Sequence, residues 1–134
     1  MTDGRPALDE ALLRSGLGAG WRRLDVVEQT GSTNADLLAR AAAGEDIAAA
    51  VLLAEHQSAG RGRHGRAWSA PPRSQLSLSV GVNAAAVPPT GWGWLPLATG
   101  VAVVDAVRAA TGLAATLKWP DRKSTRLNSS HITI

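Results

Sequence analysis

An arginine- and glycine-rich segment, GRGRHGRAW from Gly60 to Trp68, carries residue types suited to binding an anion. Its three arginines supply planar guanidinium groups that stay charged and donate paired hydrogen bonds to carboxylate or phosphate. Glycine lets the backbone approach a ligand closely, and Trp68 offers a flat face for a purine. By composition alone the segment could also be an RG stretch that binds RNA. RG stretches usually form long disordered repeats, whereas this one lies between two predicted strands, which favours a loop that closes over a substrate.

A second motif, Gly31-Ser32-Thr33-Asn34, stands in the turn before a predicted helix. Ser32 or Thr33 can cap that helix by accepting a hydrogen bond from one of its first N–H groups. Alternatively, the free N–H groups and hydroxyls at the helix N-terminus could receive a polar group of a ligand. Capping alone explains most such motifs, so this one gains weight only from its neighbours.

The remaining polar candidates are single residues. Lys118, in Lys118-Trp119-Pro120 at a predicted strand end, is either a solvated cation or a cation fixed near developing phosphate charge. Gln57 could bond a ligand or its own backbone. His56 and His64 have no companions at metal-ligand spacing, so the sequence predicts no protein-held metal.

The elements that must position these residues alternate between strand and helix. Apolar β-branched runs predict strands, and an almost wholly apolar run before Gly112 predicts a central buried helix. The segment QLSLSVGV alternates polar and apolar residues, which predicts a strand with one buried face. The result is an α/β (α+β) fold, a mixed sheet flanked by helices. The predicted elements are helix Ala7–Ser15, strand Leu24–Gln29, helix Asn34–Ala43, strand Ala48–Glu55, an irregular loop Gln57–Arg73, strand Gln75–Val82, helix Trp94–Ala110 and strand Thr116–Trp119.

Composition limits the class of protein. A chain of 134 residues, 45% hydrophobic and 19% charged, fits one globular domain. It has no cysteine, which excludes disulfides and thiolate metal sites, and no long apolar run of a signal peptide or membrane span. We therefore expect a cytoplasmic protein. Residues 1–120 hold 11 Lys and Arg against 10 Asp and Glu, so the domain lacks the basic surface that nucleic-acid binding requires.

The chain is expected to divide into three parts. Residues 1–20 form a short N-terminal extension, too short for a helix-turn-helix domain, and residues 21–120 form the main domain. Residues 121–134, DRKSTRLNSSHITI, differ abruptly in composition and resemble a translated sequencing adapter. We expect this tail to be non-native; the alternative is a genuine polar, disordered terminus.

Together these motifs resemble the biotin protein ligases, or biotin–[acetyl-CoA-carboxylase] ligases, of the actinobacterial type without an N-terminal DNA-binding domain. The resemblance runs from about Trp21 to Pro120, and its most specific part is the arginine loop. It implies the biotin/lipoate ligase catalytic-domain fold, which is related to class II aminoacyl-tRNA synthetases, here incomplete. The matching segments are GSTN (31–34), EHQSAGRGRHGRAW (55–68), the strand Leu76–Val82 and KWP (118–120).

The resemblance also implies residue roles. Ser32, Thr33 and Asn34 would hold the ureido end of biotin, and Gln57 would contact the bound vitamin. Arg61, Gly62 and Arg63 would close over the biotinyl carboxylate and the α-phosphate. Arg66 would support the nucleotide, and Trp68 would pack near adenine. Lys118 would be the cation of the reaction centre, so Lys118, Arg61 and Arg63 would be the catalytic residues.

The implied reaction consumes ATP with Mg²⁺. Biotin attacks the α-phosphate to give biotinyl-5′-AMP and pyrophosphate. A lysine of the biotin carboxyl carrier domain of an acyl-CoA carboxylase then takes the biotin; neither DNA nor a membrane is a partner. The family continues Lys-Trp-Pro with an Asn that is missing here, and its later strands and small C-terminal domain are absent. We therefore expect this polypeptide to be poorly stable and inactive by itself. Rival readings are a lipoate or other carboxylate–adenylate ligase, and a nucleic-acid-binding protein that uses the RG loop.

Overall fold

The computed structural model of the protein describes residues 4–117 and 131–132. The chain divides into two compact units, Met1–Asn83 and Ala84–Ile134, which are taken separately below. No helix among the described residues is both long and apolar enough to cross a membrane.

The first unit contains most of the regular structure. It includes a 3-10 turn at Arg63–Gly65, with a short strand on each side. The elements in chain order are α1 (Glu10–Gly16), β1 (Arg23–Thr30), α2 (Thr33–Ala42), β2 (Ala50–Gln57), β3 (Gly60–Arg61), β4 (Ala67–Trp68) and β5 (Ser77–Val80).

Three of these strands form the main sheet, in the order β1-β2-β5. Strand β1 pairs with β2 in parallel, with Val26 opposite Leu53, and α2 is the crossover between the two strands. Strand β5 pairs with β2 in the antiparallel sense, with Ser79 opposite Leu52. The sheet is therefore mixed, and helices accompany it, as the sequence predicts.

Strand β2 is the centre of the core, because residues 50–54 are all buried. Successive side chains of a strand point to opposite faces of a sheet, so β2 contributes to two apolar clusters. One cluster comprises Leu24, Val51 and Leu53, against which Leu8, Leu13 and Leu17 pack. The other comprises Leu37, Ala50 and Leu52, with Val27 and Ile47 packed against it.

Local hydrogen bonds and backbone geometry explain why one helix and one strand begin later than the sequence predicts. Helix α1 begins at Glu10, later than predicted, because the Asp9 carboxylate accepts a hydrogen bond from Leu12 N–H at 3.0 Å and so caps the helix. Strand β2 begins at Ala50 because Ala49 has a φ of 59°, which is incompatible with extended backbone.

On strand β5 the serine face is more buried than the apolar face, on which Val80 is half-buried against the first apolar cluster. Ser77 is 7% exposed and Ser79 is half-buried, whereas Leu76 is 72% exposed and Leu78 is exposed too. The reason is that α2 packs against β5 and offers Thr33 as a hydrogen-bond partner to Ser79.

The second unit contains a 3-10 turn at Pro89–Trp94, the helix α3 (Leu95–Thr111) and the paired strands β6 (Thr116–Leu117) and β7 (His131–Ile132). Gly112 ends α3 with a φ of 71°, as its position predicts. The expectation that this helix is buried is wrong for the described residues. Only Gly100 and Val104 of α3 are buried, and among the described residues of this unit the helix packs mainly on the preceding turn and on β6.

Candidate functional site

The carboxyl ends of β1 and β2 and the N-terminus of α2 meet at one edge of the sheet. Beyond the paired strands, Ser58 N–H donates to the Thr30 carbonyl at 2.9 Å and Ala59 N–H donates to the Gly31 carbonyl at 2.8 Å. These bonds hold the start of the arginine segment beside the turn that leads into α2. Ligands of α/β sheets commonly bind at the carboxyl ends of parallel strands, which makes this edge the candidate site.

Ser32 caps α2, and Thr33 is the first helical residue, which decides between the two capping residues that the sequence leaves open. The Ser32 hydroxyl accepts a hydrogen bond from Ala35 N–H at 3.3 Å. Thr30 Oγ1 donates to the Asp36 carboxylate at 2.5 Å and so ties the strand end to the first helical turn. Asn34 is exposed at the same end of the helix.

Thr33 is buried, with only 2% of its surface exposed. Its backbone N–H donates to Gln57 Oε1 at 2.8 Å, and its hydroxyl lies 3.1 Å from the same oxygen. The hydroxyl also lies 2.8 Å from Ser79 Oγ. Thus Gln57, the last residue of β2, is fastened by its side chain to the first residue of α2.

The arginine segment forms a hairpin in which β3 pairs with β4, so the prediction of a wholly irregular loop is wrong here. Gly62 N–H donates to the Arg66 carbonyl at 2.7 Å, and His64 and Gly65 reverse the chain with φ of 59° and 71°. The strands approach closely at Gly60, where an added Cβ would lie 2.9 Å from the Trp68 carbonyl oxygen. Glycine is the only residue that fits there without a shift of the backbone.

The hairpin leaves charged and aromatic groups exposed. Arg61 and Arg66 are exposed, and among residues 4–117 neither guanidinium has an acidic partner. Trp68 is 53% exposed, and its indole N–H donates to Gln75 Oε1 at 2.6 Å. This bond holds the end of the hairpin to the chain that leads into β5. The hairpin can therefore offer two cations and an aromatic face from a fixed base.

The structure brings the predicted site residues of the first unit to one edge, with two qualifications. The candidates in it are Ser32, Thr33, Asn34, Gln57, Arg61, Gly62, Arg63, Arg66 and Trp68. For Arg63 only the backbone, in the 3-10 turn, is described, and Lys118 lies outside the described residues. No group of three or more His, Asp or Glu side chains in the described part of the chain is placed to hold a metal ion.

Sequence reasoning missed Ser79 and Gln75. Both stand at polar positions of an alternating strand, where a side chain would be expected to face solvent. Their partners, Thr33 and Trp68, lie 46 and 7 residues away in the chain. The available signal was the serine at every second position of LSLSV, which the pattern assigned to the solvent face.

Known proteins resemble this chain over most of its length. No protein-family model matches the chain. The chain is 60% identical over 127 residues to the biotin–[acetyl-CoA-carboxylase] ligase of Mycobacterium tuberculosis, a match covering 87% of this chain and 46% of the relative. It is 33% identical over 114 residues to the bifunctional ligase/repressor BirA of Salmonella typhimurium, covering 85% of this chain and 34% of that protein. The chain thus spans about half or less of the length of these relatives.

Solved structures give the same answer. A biotin acetyl coenzyme A carboxylase synthetase from Helicobacter pylori, with bound biotinylated ATP, matches with a TM-score of 0.62 and 27% identity, over 73% of this chain and 46% of that one. A biotin protein ligase from Leishmania major, in complex with biotinyl-5-AMP, matches with a TM-score of 0.54 and 32% identity, over 66% and 35%.

The fold is therefore that of the biotin protein ligase catalytic domain, present in part, and the predicted fold class is confirmed. The chain is homologous to part of a biotin–[acetyl-CoA-carboxylase] ligase, so the family resemblance carried by the motifs is confirmed as well.

Proposed function

We propose that this chain is part of a biotin protein ligase that makes biotinyl-5′-AMP from biotin and ATP and transfers the biotin to a lysine of a carrier domain. The carrier would be the biotin carboxyl carrier domain of an acyl-CoA carboxylase, in the cytoplasm. The ligase region would span residues 21–120. Neither DNA nor a membrane is a partner in this proposal.

The observation that carries the proposal is the arginine hairpin at the sheet edge where α2 begins, in a chain 60% identical to a named biotin ligase. The hairpin starts at Gly60, three residues after Gln57, and the Ala59 N–H donates to the Gly31 carbonyl, so the base of the hairpin lies beside the turn that leads into α2. That arrangement suits a ligand that is neutral and polar at one end and anionic at the other. Biotin has a ureido ring at one end and a carboxylate at the other.

The neutral end of biotin is assigned to the α2 end of the site. Ser32, Thr33 and Asn34 surround the helix N-terminus, whose peptide dipoles attract a polar oxygen. Gln57 adds a carboxamide held by two hydrogen bonds from Thr33. Because these groups are held by the fold, they need little reordering when a ligand binds.

The anionic end is assigned to the hairpin. Arg61, Gly62 and Arg63 would close over the biotinyl carboxylate and the α-phosphate. Arg66 would support the nucleotide, with Trp68 near adenine, and Lys118 would be the cation of the reaction centre. Arg61, Arg63 and Lys118 are therefore the proposed catalytic residues.

Charge neutralisation and positioning carry the chemistry in this proposal. The biotin carboxylate and the triphosphate repel each other, and guanidinium groups lower that repulsion while holding the two reactants in line. Mg²⁺ would accompany ATP and supply further positive charge. No protein side chain needs to become a covalent nucleophile, since the carboxylate itself attacks the α-phosphorus and displaces pyrophosphate. Closure of the hairpin would keep water away from the reactive anhydride.

The proposal is tested by ligand binding to the 134-residue protein. We expect saturable shifts of the backbone amide resonances of residues 31–34 and 57–62 on titration with biotin, and weaker shifts with lipoate. Gln57→Ala should reduce biotin affinity. The matched control is Gln29→Ala, which removes an exposed glutamine from β1 and should leave biotin binding unchanged.

Two results would overturn the proposal. Shifts caused by lipoate and not by biotin would indicate another carboxylate–adenylate ligase. Binding of an oligonucleotide with steep salt dependence and no response to biotin would indicate a nucleic-acid-binding hairpin instead.

A further inference from the structure

Three polar side chains from three different elements form a continuous hydrogen-bonded line. Ser79 of β5 contacts Thr33 at the start of α2, and Thr33 contacts Gln57 at the end of β2. Ser79 is half-buried and Thr33 is buried, so the line begins inside the unit and ends at the candidate site. Ser79 is outside the set of residues to which the resemblance assigns a role.

The direction of each hydrogen bond follows from the chemistry of the groups. The backbone N–H of Thr33 can only donate, so the Gln57 atom 2.8 Å away must be the carbonyl oxygen and not the amide nitrogen. The Thr33 hydroxyl, 3.1 Å from that same oxygen, must then donate its single hydrogen to it. Having no second hydrogen, Thr33 Oγ1 must accept from Ser79, and Ser79 is therefore the donor.

The consequence appears at the far end of the line. The Gln57 oxygen accepts from both Thr33 groups, so the carboxamide is held with its NH₂ group facing away from Thr33. That nitrogen lies next to the base of the hairpin, 3.1 Å from the position of a Cβ on Gly60. In the part of the chain that the structure describes, no hydrogen bond uses the two Gln57 NH₂ hydrogens.

We propose that Ser79 is a positioning residue for ligand binding: by donating to Thr33 it directs the Thr33 hydroxyl at Gln57 and so holds the Gln57 NH₂ group toward an acceptor oxygen of the ligand. The identity of that ligand as biotin rests on the proposed function above. Without the Ser79 hydroxyl, the buried Thr33 oxygen loses its donor, and the hydroxyl can turn away from Gln57. Gln57 is then held less firmly, and a ligand must restrain it on binding.

The test is a double-mutant cycle on biotin affinity, measured by calorimetric titration of the full 134-residue protein. Ser79→Ala should weaken biotin binding by about 2–10-fold, the range of one neutral hydrogen bond. In a Gln57→Ala background the same change should have little further effect, because its route to the ligand is gone. Ser79→Thr keeps the hydroxyl and should restore binding.

The matched control is Ser74→Ala, which removes a hydroxyl that bonds the Pro71 carbonyl in the loop before β5. It should leave biotin binding unchanged. Equal losses for Ser79→Ala with and without Gln57, or no loss at all, would overturn the positioning role and leave the proposed function intact.

A second measurement keeps the two proposals apart and also covers loss of folding in the alanine variant. In the unliganded protein, the Gln57 side-chain NH₂ resonances should shift and broaden in Ser79→Ala, and should be restored in Ser79→Thr. If the parent protein binds no biotin, the proposed function fails. These resonances still show whether Ser79 positions Gln57 through Thr33. Gln57 resonances that are identical in the parent, Ser79→Ala and Ser74→Ala would rule out the positioning role of Ser79.

Discussion

The N-terminus of α2 and the arginine hairpin belong to the same edge of the sheet but satisfy their polar groups in opposite ways. At the helix, Thr33 is buried and each of its polar groups has a protein partner. At the hairpin, Arg61 and Arg66 are exposed and have no acidic partner among the described residues. The polar groups of the first region are bonded within the protein, whereas the two arginines of the second are available to a ligand.

The difference indicates that such a site recognises a neutral polar group and an anion in two different ways. A neutral polar group is recognised by donors and acceptors whose geometry is fixed beforehand, because each mispaired bond is costly when buried. An anion is recognised by strong, long-range charge, which tolerates exposed side chains that order when the ligand arrives. Mutations at the first region should therefore affect stability as well as ligand binding, whereas mutations at the second should affect ligand retention and leave stability unchanged.

The largest effect is expected from a substitution that removes core packing beneath α2. Leu52, 1% exposed in the centre of β2, packs with Leu37 of α2. Leu52→Ala should lower the free energy of unfolding by about 2–5 kcal/mol, because it leaves a cavity under α2. Urea denaturation measures this loss. Leu38→Ala, on the exposed side of α2, is the control and should change stability by no more than about 0.5 kcal/mol. Equal losses in both would contradict the assigned core.

A smaller effect is expected where the two regions join. Gly60→Ala would place a Cβ 2.9 Å from the Trp68 carbonyl and 3.1 Å from Gln57 Nε2. We expect a loss of about 1–3 kcal/mol in unfolding free energy, the usual range for overpacking. In Gly62→Ala the nearest atom lies 3.6 Å away, so this control should be tolerated. If chemical denaturation found Gly62→Ala the worse of the two, the hairpin pairing would be wrong.

The third effect should appear in ligand retention and not in stability. Arg63→Ala and Arg61→Ala should each weaken retention of biotinyl-5′-AMP by about 10-fold or more, since a charge-assisted hydrogen bond is lost. Dissociation is followed by filter binding, and melting temperatures should not change. Arg22→Ala, which removes an exposed arginine elsewhere in the unit, is the control. Retention that responds equally to all three changes would count against the hairpin.

The smallest effect concerns an exposed charge that, unlike those of the hairpin, has partners. The pKa of Asp46 is lowered from its ordinary 3.8, first by the Ala48 N–H, which donates at 3.0 Å, and then by the hydrogen bond and charge of Arg22. A lowered folded-state pKa stabilises the protein above about pH 4, and this contribution disappears as pH falls through the lowered value. In an NMR titration, Arg22→Ala should raise the pKa of Asp46 only partly. Full return to 3.8 would show that Ala48 contributes nothing.

Short-range patterns predicted the elements well, and long-range pairing was where prediction stopped. Apolar periodicity found every strand of the main sheet, and Gly112 located the end of α3. The hairpin was missed because two-residue strands have no period, and glycines at close approach look like glycines in an irregular loop. The half-burial of Ser79 was missed because it depends on α2 supplying Thr33 as a partner from 46 residues away.

The hydrogen bond from Thr33 N–H to the Gln57 oxygen also bears on discrimination between ligands. An unrestrained carboxamide can act as donor or acceptor, since it can turn either its nitrogen or its oxygen toward a ligand. Here the oxygen is occupied, and the side chain can offer only N–H groups. A ligand that brings a carbonyl or carboxylate oxygen to this position is accepted, whereas one that brings an N–H or ammonium group there meets donor against donor. The fold thus fixes Gln57 as a hydrogen-bond donor, so that the site disfavours ligands that bring a donor to this position.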